Sequence, residues 1–250
     1  MTRSHVRPSP LFLGILAATA AGGVLSTLAT PTARTAGIVV LVLGGWAVSL
    51  CLHEFGHAFV AYRGGDHAVR AKGYLTLDPR HYTDPVLSLL IPLLLLVVGG
   101  VPLPGGAVWI NHHALRSRGV ESLVSLAGPL ANLVVGGLLT AVVAAVDLPT
   151  GLWWGLSYLA LLQIAAFVLN ILPVPGLDGF GVLEPYLSYG AREFAAKVRP
   201  WAPLALFAAL FAVPELNALF WDLVFTVFDT VGGDFRGAAN GMREFMFWRR

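Results

Sequence analysis

The chain has 250 residues, of which 56% are hydrophobic and only 12% are charged. Its mean hydropathy of +0.74 excludes an ordinary soluble domain. The net charge of +2 is too small to indicate binding to nucleic acid, and a single cysteine excludes a disulfide within the chain. We therefore predict a single membrane-embedded domain of the all-α class over residues 1–250.

The first apolar segment covers residues 11–29 and follows a basic tip with Arg3 and Arg7. It has two interpretations, a cleaved signal peptide with small residues at its end or a retained membrane-spanning helix. Its length fits a full span better than the short core of a signal peptide. We predict that the segment is retained.

The second apolar run, residues 36–62, carries the pentapeptide His53-Glu54-Phe55-Gly56-His57 in its last third. Residues four apart share one face of a helix, so the two imidazoles converge on one point. Two imidazoles with a neighbouring carboxylate suit a zinc ion whose fourth position is open. Ionisable side chains inside a membrane span are energetically unfavourable and indicate function by default.

Residues 63–85 are polar, and the loose alternation over residues 71–77 predicts a short membrane-associated β segment. The apolar run 86–104 is broken by Pro92 and has a tail rich in glycine and proline, so we predict a re-entrant element. Residues 105–110 are a second candidate for an exposed strand. Such an edge could bind a substrate as an added strand, which would unwind it before cleavage.

Two further spans are predicted over residues 120–146 and 152–172, joined by a tight turn. Residues 200–231 indicate either one span with an interfacial helix or a shallow helical hairpin, and we favour the hairpin. The prediction is thus about six hydrophobic segments. Residues 36–180 form the core of the domain, with accessory helices at 11–29 and 200–231.

The distribution of basic residues predicts the orientation in the membrane. With a cytoplasmic amino end, the basic residues after the second, re-entrant and fifth segments all lie inside, and only Arg34 lies in an outer loop. The His-Glu-His motif, Asn132 and Asp178 then occupy similar depths near the cytoplasmic face. We expect an integral protein of the plasma membrane with its active site there.

Catalytic zinc usually has three protein ligands, so a third ligand must reach His53 and His57. Asp178 is the best candidate, because it lies in a segment broken by proline and glycine where a helix cannot continue. Glu54, next to a ligand, is suited to act as the general base that deprotonates the attacking water. The expected cofactor is therefore Zn²⁺.

Three segments together resemble the site-2 protease family of intramembrane zinc metalloproteases. They are the pentapeptide at 53–57, Gly128-Pro129-Leu130-Ala131-Asn132, and residues 170–179 with their Pro-x-Pro-x-Leu-Asp-Gly core. The resemblance implies a protease that cuts membrane-spanning substrates. It implies His53, His57 and Asp178 as zinc ligands and Glu54 as the catalytic acid and base. Asn132 and Asn170 match motif asparagines that contact the substrate backbone or the developing oxyanion.

The sequence also resembles a compact subgroup of that family that lacks PDZ and CBS domains. Its pattern Asn-Pro-x-x-His-x-Asp-Pro corresponds here to residues 78–85. Tyr82 stands where the pattern has histidine, and no role is carried over to His81. The implied partners are the lipid bilayer and a membrane protein or transmembrane peptide as substrate.

Other interpretations remain open at this point. A metal or ion transporter also uses intramembrane His, Glu and Asp residues, and broken helices suit it. A catalytically inactive relative that only binds membrane proteins is a second alternative. Asn132 and Asn170 could also be hydrogen-bonding residues that join helices, without a direct catalytic role.

Overall fold

The computed structural model describes residues 8–81 and 108–249, and these are largely helical without a β-strand. The helices in chain order are α1 (Pro10–Ser26), α2 (Pro31–Gly64), α3 (Ala68–Ala71), α4 (Arg118–Ala145), α5 (Thr150–Asn170), α6 (Asp178–Leu183), α7 (Tyr189–Val198), α8 (Ala202–Ala212), α9 (Pro214–Thr230) and α10 (Phe235–Phe245). Among them α2, α4 and α5 are long and apolar enough to cross a membrane. The α-helical membrane class predicted from the sequence is therefore confirmed.

The termini of the three long helices follow from local sequence. Helix α2 begins with Pro31 in its first turn and ends at Gly64, because the next residue, Gly65, has a φ of 125° that stops the helix. Helix α4 begins after Ser117, whose hydroxyl accepts a hydrogen bond from the backbone N–H of Val120. Helix α5 packs against both of the others and is the most buried of the three.

Helix α1 packs along the first half of α2 through small residues. It has 17 residues and is about 25 Å long, somewhat less than the thickness of a membrane core. Gly37 of α2 lies directly against the backbone of Ser26 at the end of α1. The helix coincides with the predicted segment 11–29, and its retention in the mature protein stays a prediction.

The last third of the chain packs on α5 from the side. The axes of helices α7 and α8 differ by 65°, and only the two helices together are long enough to form a fourth membrane span. Residues of α8 and α9 form an apolar cluster with one face of α5. Helix α8 contributes Phe207 to it, and α9 contributes Phe220, Val224 and Phe228. The break between the predicted segments around Pro214 is confirmed by the separate helices α8 and α9.

Helix α10 was not expected from the sequence, and it lies at the end of the bundle opposite to His53. Glu244 is buried there, accepting a hydrogen bond from the Thr35 hydroxyl at 2.5 Å and lying 3.5 Å from the Arg34 guanidinium. Asp234 caps the start of α10 and accepts a hydrogen bond from the Trp153 indole. These contacts fix the carboxyl-terminal helix to the first turns of α2 and α5.

The strand predicted over residues 71–77 is wrong. Gly73 has a left-handed φ of 78°, and a 3-10 helix, Tyr74–Thr76, follows it. The side chains of Tyr74, Leu75 and Leu77 are all buried, so they share one packed surface and do not alternate between two faces. A few apolar residues with loose alternation fit a compact turn as well as a strand.

The predicted re-entrant element at 86–104 lies outside the described residues, as does most of the second candidate strand. Of residues 105–110 the structure describes Val108, Trp109 and Ile110, which have no regular secondary structure. The count of six hydrophobic segments and the division into core and accessory parts accordingly stay predictions.

The contact between α1 and α2 leads to a prediction about stability. A Cβ atom on Gly37 would lie 2.6 Å from Ser26 Cα and 2.7 Å from the Leu25 carbonyl carbon, and backbone cannot move aside as a side chain can. We expect Gly37→Ala to lower the free energy of unfolding by about 1–3 kcal/mol, measured by thermal or denaturant unfolding in detergent.

The matched control for this substitution is Gly14→Ala in α1, where a Cβ atom would meet nothing within 4 Å. Alanine there should stabilise the helix slightly, by about 0.5–1 kcal/mol or less. Equal effects of the two substitutions would contradict the close helix contact.

Candidate functional site

His53, Glu54 and His57 lie on one buried face of α2, in its last three turns. Their exposed fractions are 5%, 3% and 7%, although the surrounding helix is apolar. Gly56, inside the same pentapeptide, lets α4 approach closely, because a Cβ atom there would lie 2.8 Å from the Ala127 carbonyl oxygen. The glycine of the motif therefore brings the two helices together beside the histidines.

Asp178 reaches the two histidines from a different part of the chain. It is the first residue of α6, after a turn in which Gly176 adopts a φ of 99°. Its Oδ2 lies 3.2 Å from His53 Nε2, and its Oδ1 lies 3.5 Å from His57 Nε2. The structure thus brings together the three residues that the sequence predicted as ligands.

The other ring nitrogen of each histidine is held by a carbonyl oxygen. His53 Nδ1 lies 2.5 Å from Asn132 Oδ1, and His57 Nδ1 lies 2.7 Å from the backbone oxygen of Val124. Because these oxygens only accept, both Nδ1 atoms must carry the proton and donate it. In the neutral imidazole with its proton on Nδ1, the Nε2 atom is unprotonated, which is the form that binds a metal ion.

The distances among these atoms fit a tetrahedral zinc site. The two Nε2 atoms lie 3.1 Å apart, and each faces Asp178 at 3.2–3.5 Å. Zinc–ligand bonds of about 2.0–2.2 Å place neighbouring ligand atoms about 3.3–3.6 Å apart. Two unprotonated nitrogens cannot hydrogen-bond each other, and a cation between them makes their close approach favourable.

Gly128 of α4 forms one wall of the same position. A Cβ atom on this residue would lie 2.6 Å from His53 Nε2 and still closer to His57 Nε2. Any side chain at residue 128 would therefore occupy the space toward which both ligand nitrogens point. This glycine keeps that space open for an ion, a role that the sequence analysis did not assign to it.

A cavity of about 250 Å³ opens beside the three residues. Glu54 lines it together with the ligands, and the backbone N–H of Val108 donates a hydrogen bond to the Glu54 carboxylate. No lysine or arginine is among the described residues that line it. Two carboxylates without a cationic side chain favour the binding of a divalent metal ion.

The two asparagines predicted from the sequence lie in different environments. The Asn132 side chain is fully engaged behind His53, because its Nδ2 donates to Gln163 Oε1 at 2.8 Å and faces Ser49 Oγ at 3.3 Å. This favours a positioning role over the substrate contact that was predicted. Asn170 lines the cavity while its Nδ2 donates to the Ala166 carbonyl at 2.9 Å, so its oxygen is the part available to a ligand.

Sequence analysis also missed residues that surround the site. Gln163 and Ser49 contact Asn132 from α5 and α2, and neither belongs to a recognisable motif. His112 also lines the cavity, with its Nδ1 2.8 Å from a Glu121 carboxylate oxygen. A polar residue in the middle of an apolar span was the available signal for Gln163.

Comparison with known proteins gives relatives over nearly the whole chain. The chain is 47% identical over 251 residues to a Mycobacterium tuberculosis protein with the name "Putative zinc metalloprotease Rip2", and the match covers 98% of this chain and 96% of the relative. Rip2 of Mycolicibacterium smegmatis is 46% identical with the same coverage. YwhC of Bacillus subtilis, which has the same kind of name, is 31% identical over 190 residues, or 71% of this chain and 82% of the relative.

The relatives are known from sequence alone. No model of a protein family matches the chain, and no solved structure matches it. The assignment of the family therefore depends on the sequence relatives alone, while the geometry of the site is an independent observation.

The wall formed by Gly128 predicts a loss of metal binding. In Gly128→Ala the new methyl group would occupy the space between the ligand nitrogens, so we expect zinc affinity to fall by at least about tenfold. Competition with a chromophoric chelator on the purified protein measures the change.

Gly137→Ala, on the same helix, is the control because a Cβ atom there meets nothing within 4 Å. Zinc affinity should be unchanged in this variant. A Gly128→Ala protein that binds zinc as the natural sequence does would show that the ion lies elsewhere.

Proposed function

The chain belongs to a site-2 protease-type family of zinc metalloproteases, and we propose that it hydrolyses peptide bonds in or near the membrane-spanning segments of other proteins. The observation that carries the proposal is the convergence of His53, His57 and Asp178, with Glu54 beside them, inside a bundle of membrane-crossing helices. A catalytic group at that depth acts on a polypeptide that is itself in the membrane.

We assign His53, His57 and Asp178 as the residues that hold zinc. Their donor set of two imidazoles and one carboxylate leaves a fourth position open, as in catalytic zinc sites. When bound, zinc polarises the scissile carbonyl and makes a water molecule a stronger nucleophile. The chain's own contribution is to hold the three donors in place and to keep the neighbouring space open at Gly128.

Glu54 is the general base and then the general acid of the proposed reaction. Its carboxylate accepts a proton from the attacking water and returns it to the nitrogen of the leaving amine, so no proton is lost overall. The hydrogen bond from the Val108 N–H restricts the orientation of the carboxylate. Asn170, whose side chain lines the cavity, is placed to contact the substrate backbone.

A helical substrate must be unwound before attack, because its carbonyl groups are hydrogen-bonded and crowded by neighbouring residues. The segment Val108 to Asn111 is a candidate surface for this step. The Lys72 ammonium donates to the Trp109 carbonyl at 3.0 Å, and the Asn111 N–H donates to buried Asp66 at 2.7 Å. Val108 and Ile110 line the cavity while the Trp109 side chain is 75% exposed.

This alternation of side chains gives the segment one edge that a substrate strand could join. Among the described residues, none accepts a hydrogen bond from the backbone N–H of Ile110, which points to the edge opposite the Trp109 carbonyl that Lys72 holds. A substrate in extended form could accept this bond and lie across the cavity beside Glu54. The segment replaces residues 71–77 as the binding edge of the proposal.

The basic residues support a cytoplasmic position for the active site. Most described lysines and arginines lie at the end of the bundle that holds the site, namely Arg63, Arg70, Lys72, Arg80, Arg116, Arg118, Arg192, Lys197 and Arg199. Helix α10 adds Arg236 and Arg243 to the opposite end, where the sequence analysis placed only Arg34. The excess at the site end is still consistent with the positive-inside rule and with a plasma-membrane protein.

The first test of the function is Glu54→Gln, which keeps the shape of the side chain and removes its basicity. We expect proteolysis of a transmembrane substrate in detergent or liposomes to fall by about 10²–10⁴-fold. Zinc stoichiometry should stay unchanged, because Glu54 is not a ligand. A model substrate with a helix-destabilised transmembrane segment provides the assay.

The same preparation separates the enzyme from its alternatives. A transporter would move zinc into liposomes without cleaving any peptide, and an inactive relative would retain bound substrate with and without Glu54. Either result would contradict the proposed hydrolysis.

The second test concerns the substrate edge. Proline at position 110 has no backbone N–H, so Ile110→Pro removes one hydrogen-bond donor from the edge. We expect the rate of cleavage of a transmembrane substrate to fall by about tenfold, which corresponds to the loss of one hydrogen bond between uncharged groups. Zinc binding should not change. Ile110→Val keeps the donor and serves as the control, and full cleavage by the proline variant would exclude this edge.

A further inference from the structure

Three polar side chains form a network behind His53, and none of them is a candidate metal ligand. Ser49 lies one turn before His53 on α2, Asn132 lies on α4, and Gln163 lies on α5. They are 2%, 5% and 0% exposed, within helices that are otherwise apolar. Polar side chains so deep in membrane helices require a partner, and here the three residues supply partners to one another.

The hydrogen bonds in this network have one direction. Gln163 Oε1 accepts from Asn132 Nδ2 at 2.8 Å and also accepts from the Ser49 hydroxyl. Asn132 Nδ2 therefore points away from His53, and Asn132 Oδ1 points toward it at 2.5 Å. The chain of bonds begins at the His53 ring and ends at the carbonyl oxygen of Gln163.

Reversing the Gln163 amide would reverse this chain of bonds. Its Nε2 would then face the Nδ2 donor of Asn132, so the Asn132 amide would have to turn as well. A turned Asn132 would present a donor to His53 Nδ1 and move the imidazole proton to Nε2. That nitrogen faces Asp178 and His57, and a proton on it excludes a metal ion.

His57 does not need such a network, because the partner of its Nδ1 atom differs from the partner of His53 Nδ1. The partner of His57 Nδ1 is the backbone carbonyl of Val124, which has no donor that could take its place. The partner of His53 Nδ1 is a side-chain amide, whose oxygen and nitrogen can exchange places with little change in shape. Only contacts beyond Asn132 can decide which of the two faces the histidine.

We propose that Gln163 is a positioning residue of the metal centre: its carbonyl oxygen orients the Asn132 amide, which holds the His53 proton on Nδ1 and leaves Nε2 free for zinc. This inference rests on the proposed function, in which His53 is a zinc ligand. The Nε2 atom of Gln163 has no partner among the described residues. The orientation of Gln163 is thus fixed by the two donors on its oxygen.

Gln163→Met tests the proposal, because methionine has a similar length and no carbonyl oxygen. We expect the zinc dissociation constant of the purified full chain to rise by about 10–100-fold. The absorption bands of the cobalt-substituted protein should also change, since they report the geometry of the ligands. Gln163→Glu keeps an acceptor in place and should bind zinc within about threefold of the natural sequence.

A double variant distinguishes orientation of the amide from general damage to the helix packing. In Asn132→Asp both side-chain oxygens accept, so nothing is left for Gln163 to orient. Adding Gln163→Met to that background should change the zinc dissociation constant by less than about threefold. The same large loss in both backgrounds would overturn the proposal, as would unchanged zinc binding in Gln163→Met alone.

Two controls complete the experiment. Leu162→Ala removes a buried apolar neighbour on α5 that is 3% exposed, and it should lower the melting temperature without changing zinc affinity. Should Gln163→Met not fold, Gln163→Leu also lacks the acceptor and carries the same expectation. His53→Ala tests the ligand assignment separately. If the His53→Ala protein keeps its zinc affinity, the assignment of His53 as a ligand is wrong. If His53→Ala loses zinc and Gln163→Met does not, only the role of Gln163 is wrong.

Discussion

The structure depends on one constraint, which is that a charged and polar site must be satisfied inside an apolar helix bundle. Within lipid there is no water to complete a missing hydrogen bond, so the ring nitrogens of the site take their partners from other helices. The two Nδ1 atoms of His53 and His57 obtain theirs from α4, and the two Nε2 atoms face Asp178 at the start of α6. The arrangement of helices α2, α4 and α5 follows from that requirement.

Close helix contact makes these partners reachable. Imidazole is short, so α4 must approach α2 near the pentapeptide, and Gly56 and Gly128 permit this approach. Gly179, next to Asp178, leaves no room for a Cβ atom against the Ile171 carbonyl group, so a glycine there lets α6 pack against the end of α5. The small residues of the three sequence motifs thus act together with the ligands, and the motifs describe a packing arrangement as much as a set of donors.

The ligands were predictable from sequence because each leaves a local signal. Helical periodicity indicates that His53 and His57 share a face, and prolines around Asp178 indicate a broken helix. Residues 71–77 were predicted wrongly because a short loose alternation does not separate a strand from a turn that buries both sets of side chains. Helix α10 was missed because its stability comes from contacts with distant residues, such as Glu244 with Arg34 and Thr35, which no local pattern contains.

The partners of the ligands show most clearly where sequence information ends. Val124 contributes only a backbone oxygen to His57, so its side chain carries no trace of the role and any residue with the same helical backbone could fill it. Asn132 contributes a side-chain oxygen to His53, and its amide has two possible orientations with opposite consequences for the imidazole proton. A backbone partner is therefore fixed by the fold alone, while a side-chain amide needs a second layer of residues to fix it. The polar network of Ser49, Asn132 and Gln163 is the layer that this chain provides.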